Sequence, residues 1–113
     1  MKGYMVVVYR QIADEETMQA YAGLALPALM ALGARFLIRT PGEAVDARES
    51  GLCERVVVIE FPTKEQAIAA YDSEAYQAAV SLLAGKVDRD VRFVEALCAR
   101  TVMSTPCTDL LTY

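Results

Sequence analysis

The sequence predicts one α+β domain with elements in the order β-α-β-β-α-β, an antiparallel sheet carrying both helices on one side. Three observations lead there. Tyr4–Tyr9 (YMVVVY) and Arg55–Phe61 (RVVVIEF) contain unbroken apolar, largely β-branched runs, too short for helices and too apolar for surface strands. Segments of helical periodicity, opened by capping residues, follow each of them. Right-handed crossovers would then set the first and third strands side by side at the sheet centre. Those are the two strands that read as apolar on both faces, as buried central strands do.

Taken in order, Tyr4–Tyr9 is the first strand. Asp14 caps the first helix, and Glu15 and Glu16 suit the positive end of its dipole. Met18, Tyr21, Ala25, Leu29 and Leu32 form its apolar stripe; Pro27 predicts a kink or a restart, and Gly33 a C-cap. Arg35–Arg39 is the second strand, with Phe36 and Ile38 on one face and Arg35, Leu37 and Arg39 on the other. Thr40–Glu54, with Pro41, Gly42, Ser50 and Gly51, reads as a long hairpin connection in which a short strand at Glu43–Ala47 has a place. Pro62 removes a backbone donor and ends the third strand, while Thr63 and Gln66 have capping-box spacing. The second helix is punctuated at Asp72–Ser73, restarts under a Ser73 cap with the stripe Tyr76, Ala79, Val80 and Leu83, and closes at Gly85. Val91–Leu97 is the last strand. Residues 1–98 thus form a ferredoxin-like domain. The tail, 99–113, carries Val102, Met103, Leu110, Leu111 and Tyr113 and is expected to be ordered against the body or a partner subunit.

Composition narrows the function. The chain has 113 residues, 55% of them hydrophobic, more apolar material than one small core holds, which points to burial against another chain. A net charge of −4, with Lys and Arg scattered singly, argues against nucleic acid. No run is long enough to span a bilayer and nothing resembles a signal peptide, so a cytoplasmic protein is expected. The absence of histidine removes Ser-His and Cys-His nucleophilic systems and His-based metal or haem sites. No metal site or cofactor is expected. Cys53, Cys98 and Cys107 lack metal-site or disulfide-framework spacing and are expected to be buried free thiols, Cys107 being the exception.

With these residues placed, the chain resembles the family called domain of unknown function thirteen-thirty, within the dimeric α/β-barrel superfamily. GARFLIR at Gly33–Arg39, RVVVIEFPT at Arg55–Thr63 and AYDSEAYQ at Ala70–Gln77 carry the resemblance, along with Tyr21 and Pro27, over about residues 3 to 97. The departures are Arg39-Thr40-Pro41-Gly42, where the family has Arg-Gly-Gly, and a longer tail. The resemblance implies a ferredoxin-like subunit that pairs into a barrel, and no established activity. The pairing agrees with the strands themselves: helices cover one side of the sheet, and a second copy, sheet against sheet about a two-fold axis, is the simplest cover for the other.

One constellation stands out. Arg35 and Arg39 share a face of the second strand, and Glu60 shares one with Val56 and Val58. Pairing across the hairpin would bring Glu60 near Arg35, with Arg39 farther along. A carboxylate on an apolar strand must be paired or sit in a polar cavity. Two readings follow. In the first, the protein binds a small anionic or hydroxylated molecule, or is a cofactor-independent enzyme. Arg35 and Arg39 would grip an anion and Glu60 would be acceptor or candidate catalytic base beneath the sheet face opposite the helices, with Tyr76, on the second helix, a further candidate ligand contact. In the second, the protein is a structural or assembly homodimer without catalysis, Arg–Glu pairing only sets geometry, and Tyr76 is core.

Overall fold

The computed structural model describes residues 1–97. Four strands, β1 (Gly3–Ile12), β2 (Arg35–Thr40), β3 (Val56–Phe61) and β4 (Val87–Glu95), form one sheet in the order β2-β3-β1-β4. All three pairings are antiparallel, and β1 and β3 occupy the centre as the two-sided apolar runs require. Three helices, α1 (Glu15–Met30), α2 (Lys64–Tyr71) and α3 (Glu74–Val80), accompany the sheet. This is the α+β, ferredoxin-like fold expected.

The local signals act as chemistry dictates. The Asp14 carboxylate accepts from the Thr17 amide at 2.6 Å, Thr63 Oγ1 from the Gln66 amide at 3.1 Å, and Ser73 Oγ from the Tyr76 amide at 3.3 Å. Each satisfies a donor that the first helical turn leaves free. α1 runs through Pro27 without a restart. The proline stands in its last turn, so only one backbone bond is lost, and the buried stripe Met18–Tyr21–Ala25–Leu29 continues across it. The α-helical turns stop at Met30, and Gly33 reverses the chain with φ 96°, a conformation that favours glycine.

Two elements and one cysteine differ from expectation. Glu43–Ala47 is not a strand: Gly42–Ala44 forms a 3₁₀ turn, held by Ala44 N–H to the Pro41 carbonyl at 3.0 Å and Val45 N–H to the Gly42 carbonyl at 3.0 Å. β4 runs from Val87 to Glu95 instead of from Val91 to Leu97, because β1 extends to Ile12 and offers the charged stretch Asp88–Asp90 a pairing partner. Cys53 is exposed rather than buried, since it lies in the long connection between β2 and β3 and not in a strand. Cys98, Cys107 and the tail 99–113 lie outside the described residues.

Alternation divides the sheet into two faces. Met5, Val7 and Tyr9 of β1 and Val57, Ile59 and Phe61 of β3 are buried with Met18, Tyr21, Ala25 and Leu29 of α1 and Tyr76 and Ala79 of α3. The opposite face has three cross-strand rows: Arg35–Glu60–Tyr4–Val94, Ile38–Val58–Val6–Arg92 and Thr40–Val56–Val8–Asp90. Val8, Ile38 and Val94 are exposed there.

Candidate functional site

β2 decides where the arginines go. Its register opposes Arg35 to Glu60 and Phe36 to Ile59, then slips, so that Ile38 opposes Val58 and Arg39 opposes Val57. Leu37 is the extra residue of a β-bulge, and side chains beyond it change face. Phe36 and Ile38 therefore do not share a face, and neither do Arg35 and Arg39. Arg39 joins the helix-side row Arg39–Val57–Val7–Val91; Arg35 stays on the open face.

On the open face Glu60 is enclosed by Tyr4, which donates its hydroxyl to Oε2 at 3.3 Å, and by Lys2 Nζ and Arg35 Nη1, each 3.9 Å from Oε1. Burial, and then Glu60 beside it, push the Tyr4 phenol upward. Glu60 is thus separated by the sheet from Arg39. The expected triad of Arg35, Arg39 and Glu60 is not brought together, and a base at Glu60 faces no pocket shared with Arg39.

The concentrated polar chemistry lies on the other side. β1 and β4 oppose Tyr9 to Arg89, which puts the Arg89 guanidinium under the helices. Nη1 donates to the Tyr21 hydroxyl at 3.1 Å and Nη2 to the Tyr76 hydroxyl at 3.1 Å, while the two hydroxyls lie 2.6 Å apart. The guanidinium carbon is 5.3 Å from the Tyr21 ring centroid and 5.9 Å from that of Tyr9, within cation–π range. Tyr76, fully buried, is braced edge-on by Tyr21 and packs against Tyr71. Burial raises the Tyr9, Tyr21 and Tyr76 phenols above their usual value of 10.0, so all three keep their protons at neutral pH. Burial works against the Arg89 charge, while the tyrosine oxygens around it, once ionised at high pH, act in the opposite direction and raise its pKa.

Two features of this cluster bear on ligands. Arg89 has no carboxylate within 4.0 Å among the described residues; its polar partners are neutral hydroxyls. Only one of the two hydroxyl protons lies in the Tyr21–Tyr76 bond, and a guanidinium carries five N–H donors, so donors remain for an incoming acceptor.

A narrow cavity reaches the cluster between α1 and the sheet. Met5, Met18, Leu29, Phe36 and Ile59 are among its apolar walls, and Arg39, Arg55 and Arg89 supply its charge. The cavity is narrow, with a volume of about 40 Å³. Its opening, lined by Glu15, Gln19 and Pro41, shares Met18, Ala22, Arg39 and Arg55 with it. Arg55 Nη2 donates to Glu15 Oε1 at 2.8 Å. Tyr76 is not among the walls; it orients Arg89 and Tyr21 from behind. Sequence reasoning missed Arg89, Arg55 and Tyr9. The period-two series Val87, Arg89, Val91, Phe93 was the available signal for Arg89.

Among the described residues no group of three or more His, Cys, Asp or Glu side chains is placed to hold a metal ion, and no helix is long and apolar enough to cross a membrane.

Fold and site define a ferredoxin-like α+β domain with an arginine- and tyrosine-lined cavity under its helices. Solved structures share that fold. A protein of unknown function from Rhodopseudomonas palustris matches with TM-score 0.65 and 18% identity over 86% of this chain and 83% of its own. A dimeric ferredoxin-like protein of unknown function from Thermobifida fusca matches with TM-score 0.55 and 18% identity over 85% and 92%. A protein from Nitrosomonas europaea, provisionally named an antibiotic biosynthesis monooxygenase, matches with TM-score 0.58 and 14% identity over 86% and 92%. No curated protein matches the sequence. The chain belongs to the family described as Domain of unknown function (DUF1330), whose profile matches residues 2–97.

Proposed function

We propose that this chain is a homodimeric domain that binds a small anionic or hydroxylated molecule in the cavity between α1 and the sheet of each subunit. One observation carries the reading: Arg89, partly buried among apolar and aromatic groups, is matched by hydroxyls and, among the described residues, by no carboxylate. A cation so placed is costly without an anionic partner, and here it lines a cavity that opens to solvent. Arg39 enters the site with it. Tyr21, oriented from behind by Tyr76, takes the place expected of Glu60 as the proton-transferring group, so any reaction would be cofactor-independent proton transfer between its hydroxyl and a ligand oxygen. The open face, with Val6, Val8, Val56, Val58, Ile38 and Val94 uncovered by any helix of the described residues, supports pairing with a second copy; the relative from Thermobifida fusca is described as dimeric. The test is calorimetric titration of hexanoate, with hexanol as the uncharged control, into the wild type and Arg89→Met. Saturable heat with hexanoate that Arg89→Met loses or weakens supports the site. No heat with either compound returns the protein to the alternative, an assembly homodimer without a ligand.

A further inference from the structure

Resting on that reading, the charge and spacing of the cavity walls go further than "an anion". Helix-side rows carry cations on the two opposite edge strands: Arg39 of β2 closes the row of Val57, Val7 and Val91, and Arg89 of β4 stands opposite Tyr9. Arg55 lies on the other side of Tyr9, its carbonyl accepting from the Tyr9 amide at 3.0 Å. Arg55 and Arg89 are therefore two strands apart, roughly 10 Å between backbones at ordinary strand spacing. Among the described residues lining the cavity and its opening, Glu15 is the one carboxylate, and Arg55 is its partner. Three guanidinium groups against one carboxylate leave two positive charges uncompensated, in a chain whose net charge is −4. The two are not adjacent: Arg39 lines the opening as well as the cavity, whereas Arg89 lines the cavity and not the opening. Hydrocarbon from Met5, Val7, Met18 and Leu29 lies among them.

We propose that the ligand is a slim dicarboxylic acid, one carboxylate held near the opening by Arg39 and Arg55 and the other at the inner end by Arg89 and a tyrosine hydroxyl, with an apolar spacer between. A monocarboxylate would leave one end of this arrangement unmatched. A bulky polar ligand, such as a sugar or a nucleotide, would fit neither the narrow gap nor its apolar walls. The methionines, flexible and polarisable, let the gap adapt to the spacer.

Calorimetric titration with succinate, adipate and suberate, each beside its monoacid of equal length (butanoate, hexanoate and octanoate), tests this on the full chain. One diacid is expected to bind at least about tenfold more tightly than its monoacid, the scale of one added charge-assisted hydrogen-bonded pair. Arg89→Met should weaken both classes, the diacid by at least about tenfold, and remove the difference between that diacid and its monoacid. Should Arg89→Met not fold, Arg39→Ala at the exposed opening should weaken both classes. Equal affinity for diacids and monoacids overturns the two-ended site while leaving an anion site standing; a diacid advantage that survives Arg89→Met, or binding indifferent to Arg39→Ala, also overturns it. Binding of neither class removes both the inference and the reading beneath it.

Discussion

The two faces of one sheet use the same residue types to opposite ends. On the open face, Arg35 and Lys2 meet a carboxylate, Glu60, with Arg35 largely in water: its side chain is 77% exposed. On the helix face, Arg89 meets two phenols inside an aromatic shell. An exposed ion pair is screened and contributes little; a buried cation with neutral partners is held in place by packing and keeps its appetite for an anion. A charged pair that satisfies itself fits an architectural role, whereas the charge left half-satisfied beside a cavity is where we propose that a ligand binds.

The contrast can be broken most severely at Tyr76. Tyr76→Ala removes a fully buried aromatic ring and both hydroxyl contacts, and unfolding free energy should fall by about 3–5 kcal/mol, read from denaturant titration. A smaller loss than about 1 kcal/mol would mean the cluster is not part of the core. On the open face the largest effect should be on assembly rather than folding: Val58→Asp puts a charge on the proposed dimer face at a cost of about 2 kcal/mol or more, so light scattering should report a dimer for the wild type and a monomer for the variant. A monomeric wild type would refute the pairing.

Removing one hydroxyl from each face sharpens the comparison. Tyr76→Phe takes partners from Arg89 Nη2 and Tyr21 together and should cost about 1–3 kcal/mol. Tyr4→Phe removes one hydrogen bond to a carboxylate that retains Lys2 and Arg35 and should cost about 1 kcal/mol or less. Equal losses would erase the distinction drawn here. High pH probes the same cluster. Because the folded state raises the Tyr9, Tyr21 and Tyr76 pKa values above 10.0, the unfolded chain releases those protons first. Their contribution to stability is complete below the unfolded value and declines as pH rises through the folded ones. Stability should therefore drop above about pH 10, and ultraviolet phenolate absorbance should rise together with loss of structure. Full phenolate absorbance in a still-folded protein would contradict the burial argument.

How much of this was readable beforehand follows from where the information is stored. Central strands announce themselves because Val56–Ile59 and Met5–Val8 need cover on both sides, and helix starts because Asp14, Thr63 and Ser73 have few other reasons to stand where they do. The Arg35–Glu60 pairing follows from hairpin alternation. The bulge at Leu37 does not: one unpaired residue leaves no mark in an apolar strand, yet it carries Arg39 to the opposite face. Arg89 was obscured by its neighbours, since Asp88-Arg89-Asp90 reads as a polar connection until the length of β1 makes it strand. Its partners Tyr21 and Tyr76 were visible as core, and only three-dimensional packing reveals that their hydroxyls meet.

Arg35 and Arg39 stand four positions apart on the same strand and differ only in the face to which the bulge assigns them. Arg35→Ala should change stability by less than about 1 kcal/mol. The direct test is calorimetric titration of adipate into Arg35→Ala and Arg39→Ala side by side, with light scattering on both. Adipate affinity should be unchanged in Arg35→Ala and at least about tenfold weaker in Arg39→Ala, with both variants still dimeric. Loss of binding in Arg35→Ala with Arg39→Ala unaffected would place the site on the open face and contradict the account.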